Sequence, residues 1–279
     1  MSDVAIICGM QRCGSNYFLS VARRLQDLLV LGEMYHRGGA FPFQLSRELD
    51  YRSKQALAAA VLQQGGAAAK LLEGHDPTAP FSPESEAAID RMLVQISHKA
   101  PNRYLEAMLS MAGEQRLLFK VFPEHLETFQ ILSMLREHRP SVLLMARDPL
   151  DSFISYRKLV ETRKPQDVDT SGLKVHFNKA EYYAYKAHLV AYFKAIQQFC
   201  GDEGLELSVC HYEWLHNNDG RDKTEKVREV VQRMFGTALH WKPEADKLKT
   251  YQKQDTTPSP AEKVLNPAQL PRSPQHLLD

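Results

Sequence analysis

The chain opens with a run that constrains its fold more than any other stretch. Val4-Ala5-Ile6-Ile7-Cys8-Gly9 leads through Met10-Gln11-Arg12-Cys13-Gly14 into Ser15-Asn16-Tyr17-Phe18-Leu19. A short apolar run, a glycine-bearing turn and a helical pattern make a strand–turn–helix unit. Such a unit is an anion cradle. Backbone N–H groups of the turn and of the first helical turn point into one concavity, and the helix dipole adds partial positive charge there. Gly14 permits close backbone approach, Arg12 brings a full charge, and Ser15 and Asn16 offer side-chain hydrogen bonds. The stretch does not read G-x-x-x-x-G-K-[ST], because no lysine follows Gly14, so the ATPase set of parts is missing. The reading is a phosphorylated or sulfated nucleotide held by the same physics.

Strand-like and helix-like segments alternate along the rest of the chain, which predicts an α/β fold with a parallel sheet wrapped by helices. We expect a helix over 15–29 with a short extended continuation at 28–31, then a polar glycine-rich loop over 32–39. Residues 46–113 read as helices broken by loops, with helices over 53–64 and 83–97 and an interruption at Asp76-Pro77-Thr78-Ala79-Pro80. Strands are expected at 116–122, 141–147 and 205–212, and helices at 123–138, from Asp148-Pro149 onward, at 180–199 and at 221–235. The charged stretch 162–174 reads as a mobile loop. The tail from Thr256 carries five prolines (Pro258, Pro260, Pro267, Pro271, Pro274) and is expected to be irregular. With no internal repeat and no linker, one domain over 1–279 is the expectation.

The 279 residues suffice for a substantial core, and 43% hydrophobic with 25% charged residues is ordinary globular composition. A net charge of +1 gives no general attraction to nucleic acid, so an anion site has to be local. No apolar run reaches the ~18 residues of a membrane span, and Met1-Ser2-Asp3 leaves no room for a signal peptide before the first strand. The four cysteines, Cys8, Cys13, Cys200 and Cys210, lack C-x-x-C spacing. This argues against structural zinc and disulfides and for a cytoplasmic setting. Cys13 has two readings: a thiol activated by a helix N-terminus and Arg12, or a small residue fitted to a tight turn.

Arg147 ends a buried-strand run, and Ser155 lies eight residues on, inside the following helix. In open parallel sheets, ligands bind beyond the carboxyl ends of the strands. Arg147 and either Ser152 or Ser155 then fall on the edge that carries the glycine turn and suit a second phosphate. The competing reading pairs Arg147 with Asp148 or Asp151.

Taken together, Gln11-Arg12-Cys13-Gly14-Ser15-Asn16-Tyr17 and Arg147-Asp148-Pro149-Leu150-Asp151-Ser152-Phe153-Ile154-Ser155 resemble the sulfotransferases that use 3′-phosphoadenosine-5′-phosphosulfate (PAPS). In that family a loop of the form [KR]-[ST]-G-[ST]-[TN] holds the 5′-phosphosulfate, and an arginine with a serine eight residues later holds the 3′-phosphate. The Gln-Arg before the turn and Gly32-Glu33 after the first helix are most similar to the bacterial carbohydrate branch, of trehalose and Nod-factor type. The segment from Phe119-Lys120 to Leu126, Tyr212-Glu213-Trp214-Leu215, and Lys253-Gln254 with Asn266-Pro267 resemble further family segments.

The resemblance implies a three-layer, P-loop-like nucleotide-binding fold with a mostly parallel sheet. It implies PAPS as donor, adenosine 3′,5′-bisphosphate as product and no metal. It places Arg12, Cys13, Gly14, Ser15, Asn16, Tyr17, Arg147, Ser155 and Lys253 around the nucleotide, with Arg12 and Lys120 at the transferring group. The histidine that the animal branch carries two residues after the strand lysine is replaced here by Phe122. The base is then Glu33, with His36 as the alternative, and His125 is read as a helix-start residue. Tyr17 either stacks on adenine or packs in the core, and Tyr35, Phe41 and Phe43 either line an acceptor pocket or belong to the core. Residues 38–115 match no family segment and are read as the substrate-specific part. The acceptor is a carbohydrate, a glycolipid or a small natural product, sulfated on a hydroxyl or an amine. A homodimer is expected from the family habit. Two other classes compete: a small-molecule kinase, and a nucleotide-binding protein without activity.

Overall fold

The computed structural model describes residues 3–36, 49–72, 74, 76, 78–163, 169–217, 220–244, 257 and 259–271. Five strands are present among them: β1 (Val4–Gly9), β2 (Leu28–Val30), β3 (Arg116–Val121), β4 (Ser141–Ala146) and β5 (Leu207–His211). They form one sheet in the order β2-β3-β1-β4-β5, with every pairing parallel. β1 and β4 are buried at every residue, as continuous apolar runs covered on both faces require. The fold is α/β, a parallel sheet with flanking helices.

The sheet order positions the site. From β1 the chain crosses to β2 on one side, and from β3 it crosses back over β1 to β4 on the other. Connections that leave neighbouring strands in opposite directions open a crevice at their carboxyl ends. The register sets Ile7 beside Lys120 and Gly9 beside Met145. The turn after β1, the end of β3 and Arg147 after β4 therefore share one edge.

The ten described helices are α1 (Ser15–Ala22), α2 (Tyr51–Gln64), α3 (Gly66–Lys70), α4 (Pro83–Lys99), α5 (Pro101–Ala112), α6 (Thr128–His138), α7 (Pro149–Thr162), α8 (Lys179–Glu203), α9 (Tyr212–His216) and α10 (Lys223–Phe235). Helices α2, α4 and α5 begin on local signals: Asp50 accepts the Ser53 N–H, Ser82 and Ser85 form a reciprocal cap, and Pro101 opens α5. A fully buried Lys54 ties α2 to α4 through Glu86 at 2.7 Å and Asp90 at 2.9 Å. An ammonium taken out of water needs such partners to offset several kcal/mol of lost hydration. Leu57, Leu93, Ile96, Tyr104 and Met108 from these helices join the same apolar cluster as β1, β3 and β4.

Three sequence expectations shift. The first helix ends at Ala22 rather than near residue 29, because tertiary pairing captures the segment that follows. Gln26 N–H donates to the His240 carbonyl, Asp27 turns with φ 57°, and Leu28–Val30 pairs with β3. The helix expected over 123–138 starts only at Thr128. Turns fill the gap, held where the Phe122 N–H donates to Nδ1 of His125 at 3.2 Å. The described part of the proline-rich tail is ordered by contacts. Two 3₁₀ turns, Pro260–Lys263 and Pro267–Gln269, flank a parallel bridge between Val264 and Val175. Among the described residues, no helix is long and apolar enough to cross a membrane.

Candidate active site

The turn after β1 closes tightly because Gly9 has no side chain. A Cβ there would lie 3.2 Å from both Cys13 Sγ and the Phe122 ring. Arg12 (φ 67°) and Gly14 (φ 86°) are both left-handed, and Gly14 caps α1 with no side-chain hydrogen bond to its first turn. The N–H groups that open α1 thus face the crevice without an internal cap, the arrangement that favours an anion. Cys13 is fully buried with its sulfur against Gly9, which is the small-residue reading of its two alternatives.

The second motif meets the first directly. Arg12 Nε donates to Ser155 Oγ at 3.0 Å, across 143 residues of sequence. Arg147 Nη1 donates to the Arg12 carbonyl at 3.0 Å, and its guanidinium lies 4.3 Å from the centroid of the Tyr212 ring. Its Nε is buried with no hydrogen-bond partner. The pairing of Arg147 with Asp148 or Asp151 is not formed. Asp148 instead caps α7 by accepting the Leu150 and Asp151 N–H groups at 2.8 and 3.0 Å, and Asp151 receives Lys263 at 2.8 Å. Two guanidiniums therefore stand close together. Burial, and then the Arg147 charge, lower the pKa of Arg12, so an anion arriving here would relieve repulsion. Ser152 anchors the turn: it donates to the Gln11 carbonyl at 2.7 Å and, its one proton used, accepts from the Tyr185 hydroxyl at 2.9 Å.

Lys120, 2% exposed, reaches from the end of β3 to the opening turn of α1. Its ammonium touches Ser15 Oγ at 3.4 Å, Asn16 Oδ1, and Glu33 Oε1 at 2.9 Å. Two residues after Glu33, the buried Tyr35 ring packs on Tyr104 and Phe119, and its hydroxyl donates to the Pro101 carbonyl at 3.1 Å. Tyr35 is core, not pocket lining. The other oxygen of Glu33 faces His125 Nε2 at 3.4 Å. Because Nδ1 of His125 already accepts the Phe122 N–H, the neutral ring carries its proton on Nε2 and donates it to Glu33. Burial pushes the Glu33 carboxyl up, but the Lys120 charge and the His125 hydrogen bond outweigh it and hold the group well below the usual carboxylate range. Burial lowers both His36 and His125, whose rings meet edge-on at 5.5 Å.

Ligand atoms of Glu33, His36 and His125 lie within 4.8 Å of one another, the proximity a metal site needs. The chemistry fits a cation poorly. The Lys120 ammonium already neutralises this carboxylate, and His125 presents a proton rather than a lone pair toward it.

The structure thus brings Arg12, Arg147 and Ser155 into one contact set at the Cys13–Gly14 turn, and Ser15, Asn16, Lys120, Glu33 and His36 into a second set beside it. Tyr17 is half-buried within α1 and packs on the core; burial, then the Asp222 charge, raise its hydroxyl pKa. Lys253, Phe41 and Phe43 lie outside the described residues. Sequence reading set His125 aside as a helix-start residue. Its signal was its place just past Pro123 on the loop that leaves the Lys120 strand.

No family model matches the chain, and no curated protein matches it. Among solved structures it is similar to the sulfotransferase domain from the Synechococcus PCC 7002 olefin synthase. Identity is 13% and the TM-score 0.41, over 93% of this chain and 85% of that domain.

Proposed function

We propose that the protein is a PAPS-dependent sulfotransferase of a single domain, acting in the cytoplasm. The observation that carries this reading is the 3.0 Å contact of Arg12 with Ser155 beside Arg147, which joins two distant motifs into one anion site. Arg147, Ser155 and Arg12 receive the 3′-phosphate. The N–H groups of residues 13–16 and Lys120 receive the 5′-phosphosulfate. The contact of the Arg12 side chain with Ser155 supports its assignment to the 3′-phosphate, where the sequence reading put it at the transferring group with Lys120. Lys253 joins the nucleotide contacts. Four buried free cysteines suit a reducing compartment.

The acceptor oxygen or nitrogen attacks sulfur in line and forms the new O–S or N–S bond. The bond from sulfur to the bridging oxygen breaks, and its electron pair stays on the 5′-phosphate of adenosine 3′,5′-bisphosphate. Glu33 takes the acceptor proton. The protein's work is positioning and charge stabilisation, as in phosphoryl transfer, and no step calls for a metal. The acceptor is a hydroxyl or amine of a carbohydrate, a glycolipid or a small natural product, bounded by residues 38–115.

Thermal unfolding with adenosine 3′,5′-bisphosphate, ATP–magnesium and AMP tests the donor. At one hundred times its dissociation constant the bisphosphate should stabilise the fold by about 2.7 kcal/mol, well beyond AMP. A larger shift with ATP–magnesium would sink the proposal in favour of a kinase. Incubation of the protein with radiolabelled donor and each acceptor class then identifies the second substrate.

A further inference from the structure

Lys120 is fully engaged before any donor arrives. An ammonium has three protons, and three acceptors surround this one: Ser15 Oγ, Asn16 Oδ1 and Glu33 Oε1. To reach an anion in the cradle it must give up one of them. Ser15 and Asn16 belong to the cradle wall, so a bound anion leaves them near the ammonium. Glu33 lies on the loop after β2, outside the cradle, and competes with the anion for the same charge.

We infer that the Lys120–Glu33 ion pair is a latch that donor binding opens, and that His125 is the positioning residue that keeps the released carboxylate aimed at the acceptor. The inference rests on the sulfuryl-transfer reading.

Four charged or titratable groups face Glu33: Lys120 from β3, His125 and Glu124 from the loop after β3, and His36 from Glu33's own loop. Of these only Lys120 is a standing cation. Withdraw it toward the donor, and the 15% exposed carboxylate keeps its burial and the neighbouring Glu124 charge, both of which favour a proton on Glu33. His125 stays in place because the Phe122 N–H holds its ring from behind. As a neutral donor it orients Oε2 without replacing the lost charge. The base is therefore weak in the free protein and strengthens once the donor is seated, which restricts proton removal to the complex that can transfer sulfate.

Carboxyl ¹³C titration of Glu33, its signal identified by loss in Glu33→Gln, reads the latch directly. In the free protein Glu33 should stay ionised throughout the range where ordinary glutamates titrate. With PAPS and no acceptor its midpoint should rise by at least about one pH unit, and Lys120→Met should raise it without any donor. His125→Ala should lower kcat with donor KM unchanged, and His125→Gln, which keeps a donor toward Glu33, should recover part of the loss. An unmoved midpoint with PAPS demonstrably bound overturns the latch, as does an unmoved midpoint in folded Lys120→Met. PAPS that fails to bind overturns the sulfotransferase reading instead, and the Lys120→Met titration still judges the ion pair. Equal losses in His125→Ala and His125→Gln would reduce His125 to a packing residue.

Discussion

Glu33 and His36 sit three residues apart on one loop, yet their surroundings divide the proposed labour between them. Glu33 has one oxygen on Lys120 and the other on His125, whereas His36 meets His125 through its ring. A general base has to lie within reach of the proton it takes, and loss of such a group typically costs 10²–10⁴-fold in rate. Glu33→Gln should therefore lower kcat by roughly that factor while leaving affinity for adenosine 3′,5′-bisphosphate nearly unchanged. His36→Ala should cost less. Steady-state kinetics with calorimetric nucleotide binding checks both, and a Glu33→Gln enzyme that outperforms His36→Ala would move the base to His36. Most residues of the candidate site were legible one by one in the sequence, because a glycine turn after an apolar run and an arginine at the end of another are local patterns. His125 was not, because its role depends on a backbone N–H at Phe122 and a carboxylate on a different loop.

At the scale of elements, the tail acts as a strap on α7, the helix that carries Ser155. Asn266 accepts the Phe177 N–H and donates to the Phe177 carbonyl, both at 2.9 Å, as a paired strand would. Val264 packs with Phe153, Ile154, Val175, Phe177 and Tyr182, and Lys263 pairs with Asp151 in the first turn of α7. Asn266→Ala strands two half-buried backbone groups and should destabilise the protein by about 1–3 kcal/mol. Urea unfolding measures this, and an unchanged midpoint would show that the strap carries no stability. Proline content made this tail read as irregular. Proline forbids long helices but not short 3₁₀ turns docked on a partner, and the partner segment lies near residue 175, far away in sequence. The early end of α1 has the same origin: Leu28–Val30 has the composition of either element, and pairing with β3 decides it.

For the whole molecule, burial makes stability depend on pH with a definite sign. His36, His125 and His138 all bind protons less readily than the ordinary value of 6.5 because burial disfavours their charged form. A depressed folded pKa contributes stability that is complete above the unfolded value and is lost as pH falls through the folded one. Glu33, also depressed, adds a further loss below its unfolded value of 4.5, while Glu124 and Asp148, raised by burial, work in the opposite direction and soften the acid limb. The urea midpoint should accordingly fall between pH 7.5 and 5.5, and His125→Gln should flatten that slope. A midpoint that stays level or rises over this interval would contradict the buried neutral imidazoles.

The sequence by itself determined the alternation of apolar runs with helical segments, and hence a parallel sheet. It also determined the cradle at Arg12–Gly14–Asn16 and the arginine–serine pair at 147 and 155, since backbone geometry and spacing act over a few residues. Only the tertiary structure decided that Arg12 turns to Ser155, that Lys120 closes on Glu33, and that His125 stands behind that carboxylate. Each of these depends on which strand ends become neighbours, and the order β2-β3-β1-β4-β5 is set by packing the whole chain.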